Sequence, residues 1–300
     1  MNLTQVLTDV LLPIFLIFGV GFLLGKKKNP EPRPIAHVSI FVLLPSLVFI
    51  SFVERDVLES LTVTGVYIVV FTSIMYVLSV AVCRILKFSR ELESGFLLAV
   101  LFTNSGNYGV PLCTFAFGEE GMVNALAYMM YGSVIMYTLA VFIACRGKLN
   151  VGESFTNIFR IPLIYAVVLA ILCSYFAVDV PSFISAPVGL LGSAAIPVAM
   201  VLLGIQLART SMHREYKPLL LANVLRLCLS PFVGIALTHV MGVEGLLRSV
   251  LILESSMPTA INSALIAIEF DAEPGFVSST VFVSTILSIF SLAALLVYLT

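Results

Sequence analysis

Charge is scarce in this 300-residue chain: 11% of its residues are charged, against about 25% in an ordinary soluble domain. The net charge is −1, which leaves neither a basic face for nucleic acid nor a polybasic tail. Histidine is rarer still, with His37, His213 and His239 at predicted segment ends or in loops. The five cysteines (Cys83, Cys113, Cys145, Cys173, Cys228) are scattered and form no CxxC pair, so neither a disulfide framework nor a zinc site is indicated. HExxH, GxSxG and a phosphate-cradling glycine loop are all missing. Enzyme chemistry has little to stand on, and no cofactor is implied. No basic stretch precedes the first apolar run. Lys26, Lys27 and Lys28 follow it, the reverse of a secretory signal peptide, so the run is expected to remain as a first membrane span.

What fills the chain instead is hydrocarbon. Sixty per cent of residues are hydrophobic and the mean hydropathy is +1.09. A helix needs about 20 mostly apolar residues to cross a bilayer. Hydropathy predicts ten such spans, at 6–25, 35–53, 61–86, 93–117, 122–145, 157–178, 183–208, 216–241, 246–268 and 275–299. The expected class is an all-α polytopic membrane protein in the cytoplasmic membrane. Lys and Arg orient it, because cytoplasmic loops collect them. Lys26, Lys27, Lys28 and Arg33 follow span 1, and Arg84, Lys87 and Arg90 follow span 3. Arg146, Lys148 and Arg160 follow span 5, and Arg209, Arg214 and Lys217 follow span 7. The opposite side holds only Arg55 and Arg248, and Arg226 lies inside span 8. Both termini are therefore expected outside.

Proline recurs at half the chain length. Pro13 and Pro162 lie 149 residues apart, Pro45 and Pro197 152, and Pro111 and Pro258 147. Each pair falls in corresponding spans of two five-span halves, 1–148 and 149–300. Five is odd, so the second half would enter the membrane the other way up, the inverted repeat common in secondary transporters.

The fourth span of each half is broken by polar residues: TNSGNYGVPL (Thr103 to Leu112) in one, ESSMPTAINSALIA (Glu254 to Ala267) in the other. Proline removes a backbone donor, and Gly106 and Gly109 relax the chain further. Unpaired peptide groups cost several kcal/mol each in lipid, so such breaks survive only inside protein or beside a water-filled cavity. Matched broken helices offer positive N-terminal ends to an anion and free carbonyls to a cation. The expected substrate-binding residues are Asn104, Asn107, Asn262, Thr259 and Arg226, with Gly106, Gly109, Pro111 and Pro258 forming the crossover. The plainer alternative is that each proline only kinks its helix while the amides bond between helices.

Glu254 is the sharpest residue, since a charge at the bilayer centre costs at least about 2.5 kcal/mol. A carboxylate there can bind sodium, carry a proton or pair with a buried base. With Ser255 and Ser256 it is the expected ion-coupling site, for Na⁺ (with Asn104 as a further ligand) or for H⁺. Arg226 is the candidate partner at depth, either in a structural pair with Glu254 or facing the cavity to attract an anion. Pro45, Ser46, Pro197 and Gln206 read as softening or packing features. Glu54, Asp56, Glu59, Glu119 and Glu120 read as solvated loop ends.

NSGNYGVPL in span 4, IPVAMVLLGIQLA in span 7 and SSMPTAINSALIAIEFDAEPGFVSSTVFVSTILS across spans 9 and 10 resemble the auxin efflux carrier family, whose prokaryotic members include the malate and malonate permeases. RIPLIYAVVLAILCS is similar to that family's sixth span, with isoleucine before Pro162. Asn104, Gly109 and Pro111 match the plant carriers' span 4 motif, whereas Asn107 does not belong to it. The resemblance implies ten helices in two inverted repeats, with broken helices 4 and 9 crossing at the paired prolines. It implies a scaffold of helices 1, 2, 6 and 7, where a homodimer contact would lie, and a transport domain of helices 3–5 and 8–10. The wider fold group includes bile-acid sodium symporters with a glutamate near the position of Glu254. The expected function is alternating-access transport of a small organic anion, a mono- or dicarboxylate. The alternative is a cation/proton antiporter of similar crossed-helix architecture.

Overall fold

A computed structural model describes residues 1–53, 57–144, 162–176, 178–210 and 216–300. Arg55, Glu54, Asp56, Cys145, Arg146, Lys148, Arg160, His213 and Arg214 lie outside the described residues, as do the junction of the two expected halves and the side chain of Glu59. The described residues are helical throughout, with an isolated two-residue bridge and no strand. In chain order the helices are α1 (Leu3–Lys28), α2 (Pro32–Val53), α3 (Leu58–Ile85), α4 (Arg90–Leu101), α5 (Ser105–Ala144), α6 (Pro162–Tyr175), α7 (Ser182–Ala208), α8 (Tyr216–Val240), α9 (Gly245–Ser255), α10 (Ile261–Glu269) and α11 (Pro274–Leu299).

Seven of these, α1, α2, α3, α5, α7, α8 and α11, are long and apolar enough to cross a membrane. The expected fourth and ninth spans are each divided, because α4, α9 and α10 are too short to span singly. The acidic loop expected around Glu119 shrinks to a single residue. Gly118 turns the chain at φ 67° and ψ −156° inside α5, a conformation that a side chain would resist.

Proline shapes the helices without ending them. Four π-helical turns stop two residues short of a proline: Val6–Leu11 before Pro13, Ser39–Leu43 before Pro45, Ser105–Gly109 before Pro111, and Leu225–Leu229 before Pro231. The ring collides with the carbonyl four residues back and offers it no N–H, and widening the turn relieves both faults. The turn Met136–Ala140 has no proline behind it.

Polarity is turned inside out. Large apolar side chains face outward, Leu16 at 62%, Ile85 at 77% and Val240 at 81% exposure. Ser279, Thr280, Ser284, Thr285 and Ser288 of α11 are fully buried, with hydroxyls that mostly bond the preceding turn of their own helix. An apolar rim around a hydroxyl-lined interior suits lipid outside and close helix contact inside. The closest contact joins α1 to α7. A Cβ on Gly21 would strike the Val201 backbone, and one on Gly204 would strike the backbone at Phe18 and Phe22.

Candidate functional site

The gap between α4 and α5 lies against the gap between α9 and α10. The Asn104 N–H donates to the Pro258 carbonyl at 2.9 Å, and the Ala260 N–H donates to the Phe102 carbonyl at 2.8 Å. Thr103 and Thr259 face one another between these bonds as an antiparallel bridge. Two helices that give up their own ladder thus satisfy each other's peptide groups. The prolines are not equivalent here. Pro258 sits in its gap, whereas Pro111 lies within α5, past the π-turn. The two gaps meet through Phe102 to Asn104 against Pro258 to Ala260, and the equal proline spacing does not carry over to equal positions.

At one side of this junction two helix C-termini meet. Arg226, fully buried in a π-turn of α8, donates from Nη1 to the Val100 carbonyl at 2.7 Å and from Nη2 to the Ser255 carbonyl. Its guanidinium carbon lies 6.0 Å from the Phe71 ring centroid. Thr259 adds its hydroxyl to the Ala99 carbonyl at 2.7 Å, while its own N–H donates to Ser284 Oγ at 3.1 Å. Ser256 Oγ and Ser255 Oγ both donate to the Ile252 carbonyl, at 2.6 and 3.0 Å. Tyr67 closes the group by donating to Ser255 Oγ at 3.0 Å. The expectation that Arg226 faces a cavity, or pairs with Glu254, is therefore corrected. Its two terminal nitrogens hold carbonyls at the negative ends of two helix dipoles, which attract a cation as a carboxylate would.

Glu254 is also fully buried. Its Oε1 accepts from Cys113 Sγ at 3.6 Å, and Oε2 has no hydrogen-bond partner. A Cβ on Gly109 would overlap the carboxyl group, so glycine is what lets α5 approach it.

At the other side two helix N-termini open onto a cleft of about 110 Å³. Its polar lining includes Asn104, Asn107, Asn262, Gln206, Thr103 and Ser105, and Gly106 and Ile261 also line it. No side chain lining it is charged. Asn104 is 4% exposed and its Nδ2 has no partner, and Gln206 Oε1 is likewise buried and unbonded. Backbone N–H groups at helix starts have no partner within their own helix, so α5 and α10 bring donors and positive dipole ends to one place. Such a surface suits an anion or a dipolar solute.

The structure thus brings Asn104, Asn107, Asn262 and Gly106 together. Arg226, Thr259, Glu254, Ser255, Ser256, Gly109, Pro111 and Pro258 stand outside the cleft lining. Sequence reasoning set Gln206 aside as packing and passed over Tyr128 and Ser133, which also line the cleft. Among the described residues no cluster of His, Cys, Asp or Glu could hold a metal ion.

Comparison with known proteins identifies the family. The model of a family described as membrane transport protein matches residues 6–296. An uncharacterized transporter of Methanothermobacter thermautotrophicus is 31% identical over 296 residues, covering 95% of this chain and 96% of the relative. An uncharacterized transporter of Methanocaldococcus jannaschii is 25% identical over 297 residues, with the same coverage. A polytopic helical chain with a neutral polar cleft at two broken helices, matched end to end by that model, belongs to the membrane transport protein family, that of the auxin efflux carriers.

Proposed function

We propose that the protein is a secondary transporter that carries a small organic anion, a mono- or dicarboxylate such as malate or malonate, across the cytoplasmic membrane by alternating access. The observation that carries this reading is the convergence of two helix N-termini and three asparagines on one neutral cleft. Helix starts and amide N–H groups bind carboxylate oxygens without a fixed positive charge that would hold the substrate too tightly to release. The paired gaps support ten membrane crossings in two inverted halves with crossing helices 4 and 9. Parity supports the same count. The amino group of Met1 donates to Thr300 Oγ1 at 2.8 Å, a contact that supports both ends lying on one side and an even number of crossings. The distribution of Lys and Arg along the sequence supports that side being outside. Helices 1, 2, 6 and 7 would form the scaffold and any homodimer contact, and Glu254, with Ser255 and Ser256, would couple transport to a cation.

Uptake of labelled malate, malonate, succinate and indole-3-acetate into proteoliposomes tests this, for the native protein and for Asn262→Ala and Glu254→Gln. Saturable uptake of at least one carboxylate, with KM raised in Asn262→Ala, is expected. Gradient-driven accumulation is expected to be lost in Glu254→Gln. Absence of carboxylate flux under every gradient, with cation/proton exchange in its place, would overturn the reading in favour of an antiporter.

A further inference from the structure

The cleft holds two polar atoms of opposite kind that no protein group satisfies. The Oε1 acceptor of Gln206 is buried without a donor, and the Nδ2 donor of Asn104 is buried without an acceptor. We propose that Gln206 reads a hydrogen-bond donor on the substrate, so that the carrier takes small carboxylates bearing a hydroxyl close to the carboxyl group and discriminates against their deoxy counterparts. This rests on the transport reading above and narrows its substrate class.

The first support is the chemistry of the two atoms. Asn104 is 4% exposed and its Nδ2 can only donate, whereas Gln206 Oε1 can only accept. An ionised carboxylate is acceptor-only. It answers Asn104 and the N–H groups at the starts of α5 and α10, but it sets oxygen against oxygen at Gln206. A hydroxyl beside the carboxylate supplies the missing proton. The Ser and Thr hydroxyls of the lining rotate to serve a donor or an acceptor, and a carboxamide oxygen does not. Gln206 is therefore the side chain that distinguishes the two kinds of substrate.

The second support is that Gln206 stands on a rigid element. Two residues before it, Gly204 lies so close to α1 that a Cβ would strike the backbone at Phe18 and Phe22. Ile205 and Leu207 on either side of it are buried. The residue cannot back away from a ligand that fails to match it, and a reading group on such a platform is selective.

The third support is size. The cleft measures about 110 Å³, and a cavity of about 150 Å³ takes benzene, so the substrate is a few carbons long. α7 packs against Ser105–Gly109, the turn that opens α5. Gln206 thus lies near the helix start that would receive the carboxylate, and the two groups it implies on the substrate must be only a few bonds apart. A site that hydrogen-bonds a substrate hydroxyl rejects the analogue lacking it far more strongly than an apolar pocket rejects a missing methylene.

The test compares matched pairs: malate with succinate, lactate with propionate, and glycolate with acetate. Uptake into proteoliposomes and thermal stabilisation of the detergent-solubilised protein are measured for native protein, Gln206→Met and Asn104→Ala. The native protein is expected to favour the hydroxylated member of at least one pair by about tenfold or more in kcat/KM, and to be stabilised more by that member at equal concentration. In Gln206→Met that ratio is expected to fall to about threefold or less, through a loss for the hydroxy acid with little change for its partner. Asn104→Ala is expected to weaken both members alike and to keep the ratio, because its amide serves the carboxylate they share.

Equal use of both members by native protein would overturn the proposal. So would a native preference for the deoxy member, which would mean that the Gln206 amide presents its NH2, or a ratio unchanged in Gln206→Met. If Gln206→Met does not fold, the native pairs decide alone. Carboxylate uptake without hydroxyl preference removes this inference and leaves the transport reading standing. Absence of both uptake and stabilisation by every carboxylate removes the two together.

Discussion

Where α4 and α9 end, the polar backbone is closed off. A guanidinium, three hydroxyls and the opposite gap take up the released carbonyls, and Arg226, Thr259, Ser255 and Glu254 are all fully buried. Where α5 and α10 begin, a few residues away, the N–H ends meet side chains that are neutral and in part unbonded. The two ends of one broken pair are thus finished in opposite ways. A carbonyl end at membrane depth needs a donor at all times, and a fixed one is cheapest. A donor end left open beside a polar cleft is available to something that comes and goes. The difference separates the sealed side of the junction from the side that opens onto the cleft.

The largest effect expected from breaking this contrast is at the closed end. Arg226→Leu leaves the Val100 and Ser255 carbonyls without their donor, and a loss of about 3 kcal/mol or more in unfolding free energy is expected. A smaller loss, about 1–3 kcal/mol, is expected for Gly109→Ala from the clash of the new Cβ with Glu254. A double-mutant cycle with Glu254→Ala checks the cause. If the clash is with the carboxyl group, the two changes couple by about 1 kcal/mol or more, and strict additivity would place the strain elsewhere. Gly204→Ala, at the α1–α7 contact, belongs in the same range, because its Cβ meets backbone that cannot swing aside. Thr259→Val removes one donor to the Ala99 carbonyl at nearly constant volume, for about 1 kcal/mol.

The smallest stability effect, within about 0.5 kcal/mol, is expected at the open end for Asn107→Ala, whose side chain is only partly buried. There the change should appear in KM for uptake. A stability loss at Asn107 matching that at Arg226 would erase the distinction between the two ends.

Much of this was legible in the chain. The alternation of apolar runs with basic loops marked the membrane helices, and the clusters TNSGNYGVPL and ESSMPTAINSALIA marked both breaks, because polar residues inside apolar runs need an internal reason. Asn104, Asn107 and Asn262 do line the cleft together. Proline spacing misled in detail. Pro111 widens the first turns of α5, whereas Pro258 forms part of a gap, and the same residue type serves both uses. Arg226 was misread because a charged residue in an apolar span signals that it has a partner without saying which. Its partners are two backbone carbonyls, and carbonyls leave no mark in a sequence. Gln206 was passed over for a similar reason, since its neighbours in the cleft come from distant helices.

By itself, the sequence determined that the chain is a bundle of membrane helices, roughly where they run, and which two of them are interrupted. These follow from local hydropathy and from the fixed chemistry of proline and glycine, which act over a few residues. Only the tertiary structure decided what the interruptions meet: Phe102 to Asn104 against Pro258 to Ala260, Arg226 across both helix ends, Glu254 sealed against Gly109, and the asparagines open to a cleft. Those outcomes depend on which backbone groups come within about 3 Å of one another across more than a hundred residues of chain, a distance set by packing and not by any single segment.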